Sequence, residues 1–357
     1  KETGLPVIYV NAVGGQDEVV FDGGSFTMNH RGGVTTGMEL FEEKILLTHW
    51  KRSVGSIQVR PLNLPPLPTE EEVFYNALVM GLRDYVEKNG FPGVLLGLSG
   101  GIDSALVACL AVDAVGPQRV SCVMMPSPYT SYESLEDAQA LVKKLGCDYR
   151  SVSIKEAMQS LSKELKPHVE GRDTDLMDQN MQSRLRGLLL MALSNATGSI
   201  VLATGNKSEM ATGYTTLYGD MCGGYAPIKD CYKTLVYRLA RWRNKNKSAR
   251  FLGPEGQLIP DNILVRAPTA ELKPDQKDQD TLPPYETLDD ILKWLIEKEL
   301  PVAEIVNRGH EEAMVHKVLR MVKSSEYKRR QAPPGTKITA RAFGRDRRYP
   351  ITNKFTD

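Results

Sequence analysis

Residues 98–104 of this 357-residue chain, with the sequence Leu-Ser-Gly-Gly-Ile-Asp-Ser, have the composition of an anion-binding loop. Because Gly100 and Gly101 have no Cβ atom, their backbone N–H groups can turn toward a ligand. Ser99 and Ser104 add hydroxyl groups, and a helix that begins here adds unpaired N–H donors at its positive end. Two adjacent glycines also occur at plain strand–turn–helix junctions, but the full string favours a site for a group such as pyrophosphate.

Asp103 does not fit a simple phosphate site, because its carboxylate would repel the anion. A Mg²⁺ ion between the two groups removes this conflict, since Mg²⁺ prefers one or two carboxylates together with phosphate oxygens. The loop lacks both the lysine of the Walker A motif and the spacing of the G-x-G-x-x-G motif. Ser-Gly-Gly-Ile-Asp-Ser instead resembles the pyrophosphate loop of the ATP pyrophosphatases, which split ATP between its α and β phosphates to form an adenylate.

A second group of candidate residues begins at residues 203–214, with the sequence Ala-Thr-Gly-Asn-Lys-Ser-Glu-Met-Ala-Thr-Gly-Tyr. Thr204 follows an apolar segment and would lie beside the first loop. Glu209 is a second carboxylate, which could share one metal ion with Asp103 between the phosphates of ATP. Lys233 could neutralise the charge on the leaving pyrophosphate or on the pentavalent phosphorus.

The elements that must position these residues alternate between short apolar runs and helical patterns. Strands are predicted at residues 93–98, 120–125, 149–154 and 199–203. Helices are predicted at residues 71–89, 103–115, 155–165 and 180–195, with one more that begins at a capping box of Thr130 and Glu133 and ends at Gly146. This alternation predicts an α/β fold with a doubly wound parallel sheet. Ligands of such sheets bind at the carboxyl ends of the strands, where the loop and Thr204 would lie.

Further motifs resemble those of the glutamine-dependent NAD synthetases, a branch of the ATP pyrophosphatases. The matching segments are residues 204–214, 218–220, 175–187, 268–272 and 326–350, together with Asp275, Gln276 and Asp278. The resemblance extends over the chain from about residue 70. It implies a sheet of the adenine nucleotide α-hydrolase (ATP pyrophosphatase) type.

The resemblance also implies a reaction. It is the ATP-dependent amidation of deamido-NAD to NAD through a deamido-NAD adenylate, with release of AMP and pyrophosphate. The enzyme would be a ligase that forms a C–N bond and uses Mg²⁺ with ATP. Ammonia would come from glutamine hydrolysis in the full-length enzyme.

Site residues follow from the same resemblance, position by position. The residues implied for ATP are Gly97, Leu98, Ser99, Gly100, Gly101, Ile102, Asp103, Ser104 and Thr204. Mg²⁺ would bind Asp103 and Glu209, and the catalytic residues would be Asp103, Glu209, Lys233 and Thr269. The residues implied for deamido-NAD are Tyr85, Asn180, Glu209, Tyr214, Thr215, Thr216, Leu217, Asp220 and Lys328, with Tyr85 stacking on the nicotinate ring.

The chain divides into three predicted regions. Residues 1–50 resemble the closing strands of a nitrilase-like glutaminase domain, residues 51–70 form a proline-rich linker, and residues 71–357 form the synthetase domain. In this family the glutaminase domain uses a Cys–Glu–Lys triad, which would precede Lys1. We therefore expect the chain to be a fragment of a longer protein that does not hydrolyse glutamine by itself.

Composition excludes several other classes of protein. The chain has 45 Lys and Arg against 44 Asp and Glu, a net charge of +1 that argues against a general nucleic-acid binder. No apolar run approaches the roughly 18 residues of a membrane span. The 5 cysteines form no C-x-x-C pair, which fits a reducing cytoplasm. The basic arm at residues 323–357 contains aromatic residues, which favours packing over free solvation, and the resemblance implies that it folds over the site. The family further implies a homo-oligomer.

Two alternatives stay open. One is another adenylating amidotransferase, similar to GMP synthetase, which the extended match after Thr204 disfavours. The other is a nucleotide-binding module without catalysis, although paired carboxylates at Asp103 and Glu209 are less needed there. Taken singly, Asn180, Tyr214 and Thr269 are more often structural than functional, and only their combination supports the assignment.

Overall fold

The computed structural model describes residues 4–54, 56–274 and 276–352, so Asp275 and both chain ends lie outside the described residues. The strands are β1 (Val7–Tyr9), β2 (Val13–Gln16), β3 (Val19–Asp22), β4 (Phe26–Met28), β5 (Val34–Gly37), β6 (Trp50–Ser53), β7 (Ser56–Val59), β8 (Val94–Gly97), β9 (Val120–Met124), β10 (Asp148–Ser151) and β11 (Ile200–Leu202). The helices are α1 (Glu70–Lys88), α2 (Ile102–Val115), α3 (Tyr132–Leu145), α4 (Lys155–Leu165), α5 (Asp175–Thr197), α6 (Lys207–Thr212), α7 (Lys233–Lys245), α8 (Asp261–Val265), α9 (Tyr285–Leu292), α10 (Val302–Val306), α11 (Glu312–Ser324) and α12 (Glu326–Arg329).

A parallel sheet with the strand order β10-β9-β8-β11 forms the centre of the fold. The strands β8, β9 and β11 are short and largely apolar because helices cover both faces, whereas the edge strand β10 is polar and mostly exposed. On one face Leu95, Val123 and Val201 pack with residues of α4 and α5. On the other face Leu96 and Cys122 pack with α1, α2 and α3. The prediction of a doubly wound α/β sheet is therefore confirmed.

The helix ends follow local sequence signals, with one correction. The helix α2 is almost entirely buried and ends at Gly116, and α3 ends at Gly146 in the left-handed conformation. The predicted capping box of Thr130 was wrong by one residue. Ser131 is the N-cap of α3 and accepts a hydrogen bond from Ser134 N, because the Thr130 hydroxyl already accepts from Ser127 N at 3.0 Å.

The N-terminal region forms small antiparallel sheets. The first has the order β1-β4-β5, and β2 pairs with β3 as a hairpin. This β2–β3 hairpin lies on α1, where Gly15 N donates to Asp84 Oδ2 at 2.6 Å. The N-terminal region therefore meets the region of the parallel sheet through contacts between its backbone and side chains of α1.

The C-terminal arm packs against the core. Arg329 is buried, donates to the carbonyl oxygens of Met210 and Ala211, and lies over the Phe343 ring at 4.6 Å. The arm thus packs against the core, but none of its described residues lines the cavity discussed below, so its predicted place over the site is not observed. Among the described residues, no helix has both the length and the apolar character needed to cross a membrane.

Candidate functional site

A cavity of about 270 Å³ opens at the carboxyl ends of β8, β9 and β11. This is the edge where ligands of parallel α/β sheets bind. The predicted site residues among those lining it are Gly97, Leu98, Ser99, Gly100, Gly101, Ile102, Asp103, Ser104, Thr204, Glu209, Tyr214, Asp220, Lys233 and Thr269. Residues distant in the sequence therefore share one cavity.

The loop between β8 and α2 is held by its own hydroxyl groups. Ser104 Oγ accepts from Ser99 N at 3.2 Å and donates to Gly101 O at 3.0 Å. Gly100 has a φ of +82°, and a Cβ there would lie 2.5 Å from Ser134 O, so the loop passes directly against α3. No side chain caps the N-terminus of α2, which leaves its N–H groups available to an anion in the cavity.

Acidic side chains and one lysine converge beside this loop. Lys233 is buried, forms an ion pair with Asp103, and has its Nζ 3.5 Å from Glu209 Oε1. Burial, and then the charge of Asp103, raise the pKa of Glu209 to about 8. Although burial acts the other way, Asp103 and Glu209 hold the pKa of Lys233 above its usual range. Lys233 thus stays a cation, with Asp103 as its counter-ion, while the raised pKa favours the protonated form of Glu209 at neutral pH.

Asn206 connects the two carboxylates that were predicted to bind a metal. Its Nδ2 donates to Asp103 Oδ1 at 3.0 Å, and its backbone N donates to Glu209 Oε2 at 3.1 Å. Its Oδ1 accepts from Glu209 N at 3.0 Å, which completes a capping box at the start of α6. One buried amide therefore fixes the relative position of Asp103 and Glu209.

The donor set fits Mg²⁺ only together with a substrate. No cluster of three or more His, Cys, Asp or Glu able to hold a metal occurs in the described part of the chain. Asp103 and Glu209 do converge, since both contact Asn206 and both contact the Lys233 ammonium. Two carboxylates that need phosphate oxygens and water to complete the shell are the set that Mg²⁺ uses with nucleotides.

Several residues predicted for deamido-NAD lie behind the cavity wall. Asn180 Oδ1 accepts from Thr216 Oγ1 at 2.9 Å, and Thr216 N donates to Asp220 Oδ1 at 2.6 Å. Lys328 Nζ donates to two carbonyl oxygens, Gly213 O at 2.7 Å and Thr215 O at 2.6 Å. These residues hold the segment that carries Tyr214 and Asp220, and among them only Tyr214 and Asp220 line the cavity.

Thr215, Leu217 and Tyr85 also do not line the cavity. The Thr215 hydroxyl is buried and lacks a hydrogen-bond partner among the described residues. The Tyr85 ring packs on the Tyr225 ring, with 4.5 Å between the centroids. The structure thus does not bring Tyr85 to the other candidate residues, because Tyr85 lies on α1, which packs on a face of the parallel sheet and not at its carboxyl edge.

Thr269 lines the cavity, and its hydroxyl also shapes its own loop. Its Oγ1 donates to Gln276 O at 2.6 Å and accepts from Glu271 N at 3.2 Å. The neighbouring Glu271 carboxylate accepts from the Ser131 hydroxyl at 2.7 Å, so this loop is tied to the start of α3. Thr269 therefore combines a place in the cavity with a turn-forming contact.

Asp278 and Arg186 line the cavity and were not predicted as site residues. The Asp278 carboxylate is buried, accepts from the Tyr285 hydroxyl at 2.8 Å, and has a pKa that burial raises. Both residues lie inside the motifs at 175–187 and around 278 that matched the synthetases. The motif was therefore the available signal, but only the fold shows that these side chains enter the cavity.

The sequence profile of the family described as NAD synthase matches residues 74–332. The glutamine-dependent NAD(+) synthetase of Rhodobacter capsulatus is 47% identical over 356 residues, covering 100% of this chain and 64% of that protein. That of Thermotoga maritima is 47% identical, covering 99% of this chain and 65% of that protein. The chain thus spans slightly less than two thirds of the length of these relatives.

Solved structures give the same result. A glutamine-dependent NAD+ synthetase from Acinetobacter baumannii, in complex with ADP, is 42% identical with a TM-score of 0.70, covering 100% of this chain and 64% of that one. A synthetase of the same description from Cytophaga hutchinsonii is 20% identical, covers 99% of this chain and 64% of that one, and its TM-score of 0.77 shows the shared fold. The profile match, which covers most of the chain and contains the phosphate loop and the Asp103–Glu209–Lys233 cluster, shows that the chain belongs to the NAD synthase family.

Proposed function

We propose that this chain catalyses the ATP-dependent amidation of deamido-NAD to NAD, a ligase reaction that forms a C–N bond. The observation that carries the proposal is the single cavity that combines the loop at residues 97–104 with Asp103, Glu209 and Lys233. A binding module without catalysis has little use for a buried lysine held between two carboxylates. The names of the relatives point to the same reaction.

In this proposal the carboxylate of deamido-NAD attacks the α-phosphorus of ATP, and pyrophosphate leaves. The N–H groups at the start of α2 and the Ser99 and Ser104 hydroxyls bind the phosphates, and Lys233 offsets the charge that develops on them. Asp103 and Glu209 would hold Mg²⁺, which when bound neutralises phosphate charge. Ammonia then attacks the mixed anhydride, the amide forms, and AMP leaves.

Further parts of the proposal concern partners and organisation. Glutamine would supply ammonia through a separate glutaminase domain, to which residues 1–50 would belong as its closing strands. Residues 51–70, which include most of the β6–β7 hairpin, would be the linker. We also propose a homo-oligomer in the cytoplasm. The segment from Tyr214 to Asp220, with Asn180 and Lys328 behind it, would form the deamido-NAD side of the site.

The test is an assay of the purified chain with ATP, Mg²⁺, ammonium and one acid acceptor at a time. The acceptors are deamido-NAD, xanthosine monophosphate and nicotinate mononucleotide, the last because one structural neighbour is named NMN synthetase. We expect NAD, AMP and pyrophosphate in equal amounts with deamido-NAD, and little product when glutamine replaces ammonium. Amide formation on the purine nucleotide alone would favour an enzyme similar to GMP synthetase.

Asp103→Asn tests the role of the carboxylate in the same assay. It preserves the shape of the side chain but removes the charge beside Lys233, so we expect a loss of at least about 100-fold in kcat. Asp173→Asn, at an exposed position just before α5, is the matched control: it keeps the Oδ1 that accepts from Asp175 N and should retain full activity. Pyrophosphate release by Asp103→Asn at the wild-type rate would refute the assignment.

A further inference from the structure

Arg186 is a cavity residue to which the proposed reaction gives no role. It lies on α5, and its Nε donates to Met125 O at 3.1 Å, at the carboxyl end of β9. This bond holds the Nε side of the guanidinium at the end of β9. Within the described residues, no hydrogen bond or ion pair engages its two terminal Nη atoms, and the side chain lines the cavity.

The nearest acidic groups are already engaged elsewhere. Glu271 accepts from the hydroxyls of Ser131 and Ser134 at 2.7 and 2.8 Å. Asp220 accepts from Thr216 N at 2.6 Å. Both carboxylates lie close enough to influence the guanidinium, but neither forms an ion pair with it. Burial lowers the pKa of Arg186 to about 10, so the side chain stays a cation at neutral pH.

Other arginines in the interior of this chain have their anion in place. Arg243 is fully buried and binds Asp113 through two bonds, at 2.6 and 2.9 Å. Arg329 is buried and pairs with Glu326 at 3.0 Å. A half-buried cation without an anion is costly, because water no longer solvates it fully. Arg186 is therefore placed for an anion that enters the cavity from outside.

We propose that Arg186 binds an anionic oxygen of a substrate in this cavity, a phosphate or a carboxylate, through its terminal Nη atoms. The proposal rests on the proposed function for the identity of the substrates, ATP and deamido-NAD. Geometry supports it, since Arg186 is held at the end of β9, close enough to Asp220 and Glu271 to be influenced by their charges, and lines the same cavity as the phosphate loop. A planar guanidinium whose two Nη atoms are free to donate can bind two oxygens of a phosphate or a carboxylate.

The test measures binding without turnover. Isothermal titration calorimetry compares the wild-type chain with Arg186→Gln. One series adds Mg²⁺ and ATP, and a second adds deamido-NAD alone. We expect at least a tenfold higher Kd for one ligand and less than a twofold change for the other. A loss confined to ATP identifies a nucleotide phosphate, and a loss confined to deamido-NAD identifies the acid substrate.

Two control variants separate charge from packing. Leu190→Ala alters the same wall of the cavity, one helical turn further along α5, without removing a charge. Arg320→Gln removes an exposed arginine and should change neither Kd nor melting temperature. Unchanged Kd values in Arg186→Gln for both ligands would overturn the proposal, as would a loss no larger than that of Leu190→Ala.

The two proposals can fail separately. If the wild-type chain forms NAD but Arg186→Gln binds both ligands normally, the role of Arg186 is refuted and the reaction stands. If the wild-type chain does not amidate deamido-NAD but Arg186→Gln binds ATP at least tenfold more weakly, the proposed function is wrong and the anion site stands.

Discussion

Gly100 and Gly101 are neighbours in the phosphate loop, but only one of them needs to be glycine for steric reasons. Gly100 has a φ of +82°, and a Cβ there would lie 2.5 Å from Ser134 O. Gly101 has a φ of −88°, and its nearest recorded neighbour is a flexible side-chain atom, Ser99 Oγ at 3.3 Å. The pair therefore offers a matched test of loop conformation.

We expect Gly100→Ala to lower the free energy of unfolding by about 2 kcal/mol, from left-handed strain and overlap with α3. Gly101→Ala should cost less than about 1 kcal/mol, as a change of N-cap residue. Urea denaturation of both variants at neutral pH measures the difference. Equal losses would contradict the loop geometry.

At the level of single residues, the sequence predicted the site residues whose position depends only on the order of neighbouring strands and helices. The loop residues and Thr204 come just after strands, and Glu209 lies in the first turn of the helix that follows β11, so their place at the sheet edge followed from the alternation of elements. Asp278 and Arg186 could not be placed in this way. Their entry into the cavity depends on the path of a long loop and on the rotation of α5, which only tertiary packing determines.

The short helix α6 connects two parts of the site through its first turn. Asn206→Ser keeps an N-cap oxygen but removes the amide that donates to Asp103. Asn206→Ala removes both. Because hydrogen bonds to charged groups are strong, we expect the Ser variant to lose about 2 kcal/mol of stability. We also expect it to bind Mn²⁺ with a non-hydrolysable ATP analogue about tenfold more weakly.

Electron paramagnetic resonance of bound Mn²⁺ measures that affinity, and urea denaturation measures stability. The Ala variant should bind Mn²⁺ as weakly as the Ser variant but unfold more easily. If the Ser variant binds Mn²⁺ like the wild-type chain, Asn206 is only a helix cap and does not position the carboxylates.

The same helix ties the C-terminal arm to the core. Lys207 has an exposed fraction of 0% and its Nζ lies 2.9 Å from Asp230 Oδ1, while it also donates to Arg341 O at 2.8 Å. Lys207→Met leaves Asp230 charged and buried, so we expect a loss of about 3–5 kcal/mol. Lys44→Met, which breaks an exposed pair with Glu39, should cost less than about 1 kcal/mol.

Urea denaturation gives both values. Limited proteolysis of the Lys207 variant should show earlier cleavage within residues 336–348, because the arm loses its anchor. A stability of the Lys207 variant close to that of the Lys44 variant would show that the buried pair does not hold the arm.

At the scale of the whole molecule, element types were more predictable than the contacts between regions. Alternating apolar runs indicated the parallel sheet, because buried strands need apolar residues on both faces. The division at residues 51–70 remains a prediction. Contacts nevertheless cross it, since Glu18 O accepts from Lys337 N at 2.8 Å and Glu18 Oε1 lies 3.1 Å from Lys229 Nζ. Contacts between residues so far apart in the chain leave no local signal in a sequence.

The β2–β3 hairpin should therefore behave as part of the synthetase core. Asp84 on α1 accepts from Gly15 N at 2.6 Å and pairs with Lys88 at 3.2 Å. Asp84→Ala removes a charged hydrogen-bond acceptor. Hydrogen exchange of the amides in residues 13–22 should therefore accelerate by about tenfold or more, while the amides of β8 and β9 stay protected. Glu87→Ala, on the same helix but paired with Arg119, should leave the hairpin unchanged. Fast exchange of the hairpin in the wild-type chain would show that it does not dock on α1.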